Sequence, residues 1–212
     1  MLDVKSTAKG FLPPRMTFVQ RDAIISPAAG LIVWCSNCGA SGELEVFNGT
    51  SWTNMTGGAG AVSFAIGQSY GGGIIFYIDG TGLHGLISAT SDQSTGAPWG
   101  CFPTSIPGTS TALGTGQANT TAIIAGCITA GIAAQLCNAL TLNGYSDWFL
   151  PSRDELNQMY LQKTVIGGFA NYAYWSSSEW ADGAAWGQYF PNGSQTSYYK
   201  SNPYYVRAVR AF

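Results

Sequence analysis

The stretch Gly144-Tyr-Ser-Asp-Trp-Phe-Leu-Pro-Ser-Arg-Asp-Glu-Leu156 combines a loop, a helix start and a buried aromatic within thirteen residues. Pro151 has no backbone N–H and biases its predecessor away from helix. Ser152 and Glu155 then have capping-box spacing, which predicts a helix from residue 153 to about 163. Trp148 is expected to fill the core, and Asp147 to accept hydrogen bonds from loop amides. Upstream, Ile123, Ile124, Cys127, Ile128, Ile132 and Leu136 share helical spacing behind Asn119 or Thr120 as a cap, with Gly126 and Gly131 placed to bend or split that helix. Further upstream, Gly71 to Asp79 reads as a buried strand with Leu83 to Ile87 as its hairpin partner. Downstream, residues 168–212 hold 13 of the 28 aromatic side chains, in short segments separated by turn residues. The expectation there is a meander of strands and loops closed by a C-terminal strand.

Composition narrows the function classes. Only 9% of the 212 residues are charged and the formal net charge is -2, so no positive field exists to hold a polyanion, and nucleic acid is not an expected partner. The near-absence of charge suits a chain kept soluble by neighbours in a larger particle. Met1 to Lys5 leads into Lys9 and Arg15 without an apolar stretch of signal-peptide length. The uncharged run Thr121 to Leu140 is diluted by Gly, Thr, Gln and Asn, and is expected to be a buried helix, not a membrane span.

A small-residue linker, Thr56-Gly-Gly-Ala-Gly-Ala61, sets a domain boundary at 57–62. Residues 1–60 are expected to hold an extended Phe11-Leu-Pro-Pro-Arg15, one short helix over Thr17 to Ile24, a strand over Gly30 to Trp34, and a hairpin from Leu44 to Trp52 through Asn48-Gly49. So few apolar anchors can hardly support a self-sufficient core, and association with copies of the chain is the natural remedy.

Three strings in fixed order, Gly144 to Leu156, Tyr174-Trp-Ser-Ser-Ser-Glu179 and Tyr205-Val-Arg-Ala-Val-Arg210, resemble the C-type-lectin-like domain of collagen-like bacterial adhesins. Similar domains end the retroelement-diversified ligand-binding proteins that include phage tropism determinants, and Gly72 to Tyr77 with His84 to Ile87 is similar to the family's opening hairpin. The similarity covers about residues 70–212. Leu2 to Met16, Arg21 to Ile24 and Asn48 to Trp52 resemble the segment preceding receptor-binding heads in phage tail-fibre proteins, which are typically trimers. The resemblance implies an α+β chain: a C-type-lectin-like head over 61–212, with two helices, short twisted antiparallel sheets and long loops, after a small β-rich oligomerising or attachment segment over 1–60. It implies a virion receptor-binding protein at a fibre or baseplate tip, a homotrimer contacting other fibre subunits and a host-surface glycan or protein. The alternatives are a bacterial surface adhesin with the same head, or a structural fibre or capsid decoration. The Glu-Pro-Asn, Gln-Pro-Asp and Trp-Asn-Asp calcium motifs of sugar-binding animal lectins are absent, so calcium chelation of sugar is not implied.

Between the fixed strings, Tyr172, Trp180, Asp182, Tyr189, Asn192, Gln195, Tyr198, Tyr199, Asn202 and Tyr204 are the candidate binding face. Tyr and Trp give rigid amphipathic area at small entropic cost, while Asn, Gln and Ser give adaptable hydrogen bonds. The competing reading packs these rings between protomers or strands. Trp186 and Phe190 are expected in the core, and Trp175, Ser176, Ser177, Arg207 and Arg210 in the scaffold, the arginines pairing with Glu179, Asp154 or Glu155. An enzyme is not expected: His84, the single histidine, lies in an apolar strand or its turn, and the adjacent Asp154 and Glu155 cannot flank a glycosidic bond. No cofactor or metal is expected. Cys35-Ser-Asn-Cys38 has the spacing of half a zinc site without a second half, and reads as a local disulfide or two thiols. Cys101 is expected to pair with Cys127 or Cys137, which lie too far apart to bridge on one continuous helix.

Overall fold

A computed structural model describes residues 10–39, 41–58, 60 and 64–212. Part of the tail-fibre-like segment (residues 2–9) and part of the linker (residues 59 and 61–62) lie outside the described residues. The chain is mixed, mostly strand with short helices, and forms two compact units, Met1–Phe64 and Ala65–Phe212.

The first unit is a four-stranded sheet in order β1-β2-β3-β4, with β1 Arg15–Met16, β2 Ile32–Cys35, β3 Glu43–Phe47 and β4 Trp52–Asn54, and α1 over Phe18–Asp22. The expected helix starts at a capping box the sequence reading had not singled out: the Thr17 side chain accepts from Gln20 N, and Gln20 reaches back to Thr17 N. At the β3–β4 hairpin, Asn48 Oδ1 accepts from the amides of Thr50 and Ser51, and Gly49 takes φ +101, a conformation that favours glycine. Among its described residues, Phe18, Val33, Cys35 and Cys38 are buried and apolar. Arg21 and Glu45 form a buried ion pair beside them.

The second unit opens with β5 Ser69–Tyr70, β6 Gly73–Ile78 and β7 Gly85–Ser88, continues through β8 Ser94–Ala97, α2 Gly116–Gly126, α3 Ala133–Asn138, α4 Arg153–Leu161 and α5 Lys163–Ile166, and ends in β9 Ala173–Ala181, β10 Ala184–Tyr189, β11 Ser194–Tyr199, β12 Tyr204–Val206 and β13 Val209–Ala211. Two sheets result, in orders β13-β7-β6-β5 and β11-β10-β9-β12-β8. The C-terminal strand closes the unit by pairing antiparallel with the opening hairpin, Val209 opposite Ser88 and Ala211 opposite Leu86. Phe76, Leu86, Phe149, Leu156, Met159, Tyr174, Phe190 and Val209 form the core between the elements, and Trp99, Trp148 and Trp175 are fully buried.

Several expectations need correction. The head has four helices instead of two, and β12 joins β9 in parallel, so the five-stranded sheet is mixed while the β13-β7-β6-β5 sheet is antiparallel as expected. Asn119 and Thr120 lie inside α2, not at its cap, because both are buried and satisfy other segments. Asn119 bonds Ser110 and the Ser177 hydroxyl, while Thr120 Oγ1 accepts from Leu150 N. The run Thr121 to Leu140 is not one buried helix: α2 stops at Gly126, α3 starts at Ala133, and Ile128 between them is 98% exposed. No helix among the described residues is long and apolar enough to cross a membrane.

The break resolves the cysteines. Cys127 follows the end of α2 and bonds Cys101 across 26 residues, Cys35 bonds Cys38, and Cys137 stays a buried thiol whose pKa burial pushes up.

Arg207 and Arg210 are buried as expected but take other partners. Arg207 reaches Asp92 at 2.6 Å and the carbonyls of Ala89 and Gly168. Arg210 grips Asp147 with two bonds of 2.7 and 2.8 Å, so the main partner of Asp147 is a guanidinium, with its own loop amide as a lesser one. That grip holds the Asp147 carboxyl below its ordinary value. Its stabilisation is complete above the unfolded aspartate value of about 3.9 and is lost as pH falls through the lower folded value. Asp147→Asn should therefore flatten the acid limb of a melting-temperature profile while lowering the neutral plateau; an unchanged acid limb would remove this pair as its source.

Candidate functional site

Seven of the ten binding-face candidates fall on the β9–β10–β11 meander, Tyr172 just before it and Asn202 and Tyr204 after it; the rigidity of the meander comes from the buried side of the unit. The Ser152 capping box forms as expected, and Glu155 goes further than a cap. Its Oε1 accepts from Gly114 N at 2.8 Å and Gly116 N at 3.3 Å, while Oε2 accepts from Ser152 N. Burial raises the Glu155 pKa, and these amide bonds partly offset the rise. The serines of Tyr174-Trp-Ser-Ser-Ser178 have equally local work. Ser176 Oγ donates to Trp186 O, Ser178 Oγ donates to Ser110 O, and Ser177 Oγ accepts from Asn119. Ser178 Oγ also accepts from Arg153 N at 2.9 Å, so helix α4 as well as the loop before α2 is fastened to β9.

Regular pairing of β10 with β11, Ala184 opposite Tyr199 through Tyr189 opposite Ser194, assigns side chains to faces. Gln188, Trp186, Gln195, Ser197 and Tyr199 share one face. Ala185, Gly187, Tyr189, Thr196 and Tyr198 share the other. Gly187 is glycine because a Cβ there would stand 2.8 Å from Tyr174 O and 3.0 Å from the Tyr198 ring. That absence lets Tyr198 lie close to the sheet, beside Trp175 at 6.1 Å and Tyr204 at 4.6 Å between ring centroids.

A groove of about 530 Å³ is lined by Trp180, Ser197, Tyr198, Tyr199 and Asn202 among others. Trp180 is 60% exposed and Tyr199 67% exposed. Trp180 stands edge-on to Trp186 at 4.9 Å, and the Arg153 guanidinium lies over the Trp186 ring at 5.1 Å. Tyr199 is edge-on to Phe102 at 6.2 Å. Asn202 Nδ2 donates to the Tyr204 hydroxyl at 3.1 Å, and Tyr204 also neighbours Tyr172 at 5.8 Å. Burial pushes the Tyr198 phenol up, with Tyr204 and Tyr189 adding to the effect, so it is a neutral hydrogen-bonding group at physiological pH.

The ten candidates thus separate. Trp180, Tyr198, Tyr199 and Asn202 meet in the groove. Tyr204 and the exposed Tyr172 extend it through ring contacts. Tyr189 is exposed at the end of β10, and Asp182 is exposed in the β9–β10 turn. Asn192 is exposed in the β10–β11 turn, where its side chain accepts from Ser194 N. Gln195 donates to Arg153 O at 2.8 Å and so braces the start of α4. Phe190 is buried as expected, but Trp186 is only half-buried because it supports Trp180.

Two site residues escaped the sequence reading. Phe102 is 51% exposed and flanks Tyr199; its only signal was a bulky ring in a Gly/Ser/Pro-rich loop. Lys200 is fully buried, pairs with Glu179, donates to Thr104 O at 2.8 Å and lies 4.6 Å from the Trp99 ring centre. Glu179 also accepts from Ile106 N at 2.8 Å and from Ser105 Oγ at 3.2 Å. The pair therefore ties the loop carrying Phe102 to the strands carrying Trp180 and Tyr199. His84 is exposed in the β6–β7 turn.

Two family models match the chain. Residues 1–69 match a phage tail like trimerisation region, and residues 88–210 match the Lcl C-terminal domain. The first match falls on the segment that resembles tail-fibre sequences, the second on the part that resembles adhesin heads. No curated protein matches the chain.

Proposed function

We propose, for a chain that belongs to the Lcl C-terminal domain family, a recognition function without chemistry: a trimeric phage-tail-like or adhesin-like protein whose C-terminal unit holds a cell-surface glycan or protein in the Trp180–Tyr199 groove. The observation that carries it is the pair of rings left more than half exposed on a strand framework whose inner face is buried at Tyr174, Trp175, Ala185 and Gln188. Exposed aromatics with adaptable amide and hydroxyl neighbours suit stacking on sugar rings or insertion into protein clefts. We read the fold as C-type-lectin-like, supported by the C-terminal strand pairing with the opening hairpin, and place the protein at a fibre or baseplate tip. The reading includes no catalysis.

The trimerisation match supports three heads per assembly, and weak single contacts then gain by effective concentration. Light scattering should give three times the 22.3 kDa chain mass. A monomer at micromolar concentration would remove the avidity from the account. Purified trimer should also compete with whole particles for host-cell adsorption; no competition at saturating trimer would contradict a receptor-binding head. The second reading, an adhesin on a bacterial surface, rests on the same family match and uses the same groove. A reverse transcriptase gene nearby, with a repeat matching the codons of the C-terminal meander, would add diversification of the groove residues.

A further inference from the structure

We propose that the N-terminal unit, once its Cys35–Cys38 disulfide is reduced, binds a zinc-class divalent cation through Cys35, Cys38 and Glu45. The two sulfurs and a Glu45 carboxylate oxygen all lie within 4.8 Å of one another, and all three residues are fully buried. The local chain explains the cluster. Val33 pairs with Glu45 across β2 and β3, Cys35 follows two residues later on the same face, and Cys38 closes a tight turn that Gly39 continues at φ +59. Once reduced, the two sulfurs, bonded to each other here, have to move apart to roughly 3.8 Å, the spacing set by tetrahedral coordination with about 2.3 Å to each sulfur, while the carboxylate oxygen closes to about 2.0–2.2 Å and water takes the fourth position.

Glu45 supplies an independent observation. Arg21 holds its Oε2 at 2.5 Å, yet Oε1 is buried without a hydrogen-bond partner among the described residues. A buried carboxylate oxygen left unpaired is costly. A Cβ at Gly60 would stand 1.8 Å from this oxygen, so only a glycine backbone can pack against it, and that backbone brings the oxygen no hydrogen bond. Charge closes as well. A divalent ion with two thiolates and one carboxylate carries one negative charge, and the Arg21 guanidinium, 3.6 Å from Cys38 Sγ, balances it.

Metal binding and the disulfide exclude each other, because a bonded sulfur pair offers no thiolate. A small dithiol reductant supplies two electrons and two protons to give two cysteine thiols and its own cyclic disulfide. Coordination of one ion then releases the two thiol protons to solvent. The inference does not depend on the recognition role of the C-terminal unit.

The test uses the full chain, reduced with a dithiol, freed of reductant without oxygen and titrated with Co²⁺. One ion per chain should bind with tetrahedral d–d bands and a thiolate-to-cobalt charge-transfer band, and Zn²⁺ should displace it. The oxidised chain should take up none. The Cys101→Ser/Cys127→Ser chain should retain the band, and Cys35→Ser/Cys38→Ser should lose it. Glu45→Gln should weaken binding by at least about 10-fold, the lower end of what loss of a metal-site partner costs. A reduced chain without the band, folded or not, overturns the proposal. So does a band that survives Cys35→Ser/Cys38→Ser, or an affinity unchanged in Glu45→Gln.

Discussion

The double substitution Trp180→Ala/Tyr199→Ala is expected to reduce adsorption to the host surface by about 100- to 1,000-fold, since central aromatic anchors each contribute roughly 2 kcal/mol or more and every 1.4 kcal/mol is tenfold. Stability should fall by less than the adsorption loss corresponds to. Both rings are more than half exposed, and what they lose on truncation is one edge-to-face contact each, with Trp186 and with Phe102. Such contacts contribute about 0.5–1.5 kcal/mol each, so losing both shifts melting by roughly 2–12 °C at about 2–4 °C per kcal/mol. Tyr198→Ala makes a poor substitute for this experiment. Tyr198 packs on Trp175, Tyr204 and the gap above Gly187, so its loss mixes recognition with folding. Full adsorption by the double variant would move recognition elsewhere on the chain.

The largest loss of stability is expected at Lys200. Lys200→Met removes the buried partner of Glu179 and the donor to Thr104 O, leaving a carboxylate that still accepts from Ile106 and Ser105 but has lost its counter-charge. Breaking a buried pair from one side costs about 3–5 kcal/mol, which should lower the melting temperature by roughly 6–20 °C. Lys200→Met/Glu179→Gln should recover part of it, because no uncompensated charge then remains buried. A double variant no better than the single one would mean that shape, not charge, holds the loop. Because the pair fastens the Phe102 loop beside Tyr199, the single variant should also weaken adsorption below its unfolding temperature.

Lys200 marks where sequence reasoning stops. In Tyr198-Tyr-Lys-Ser201 a lysine looks like a solvated tip, and its partners lie 21 and 96 residues away, so no local pattern could announce them. The same holds for Arg207 with Asp92 and Arg210 with Asp147. Burial of the arginines follows from their place in an apolar C-terminal strand, but partner choice depends on how distant loops close. Features with local causes were legible: the Ser152–Glu155 box, the β6–β7 hairpin ended by Asp79 and Gly80, and the interruption that Gly126 and Gly131 permit. Extending helical periodicity through Ile128 failed because Cys127 leaves the helix to reach Cys101, and a disulfide formed across 26 residues outweighs the propensity of a few. Within the candidate face, residue type identified the aromatic region, while strand parity decided its use. Gln195 was indistinguishable from its neighbours until the β10–β11 register turned it toward Arg153.

Whether the groove rings meet a foreign surface or a sister subunit is best decided by hydroxyl-radical footprinting of Trp180 and Tyr199 in the free assembly and on host cells. The account predicts rapid oxidation of both in the free assembly and marked protection on cells, with Trp175 unreactive throughout. Protection of Trp180 and Tyr199 already in the free assembly, unchanged when cells are added, would contradict it and make these rings part of a subunit seam.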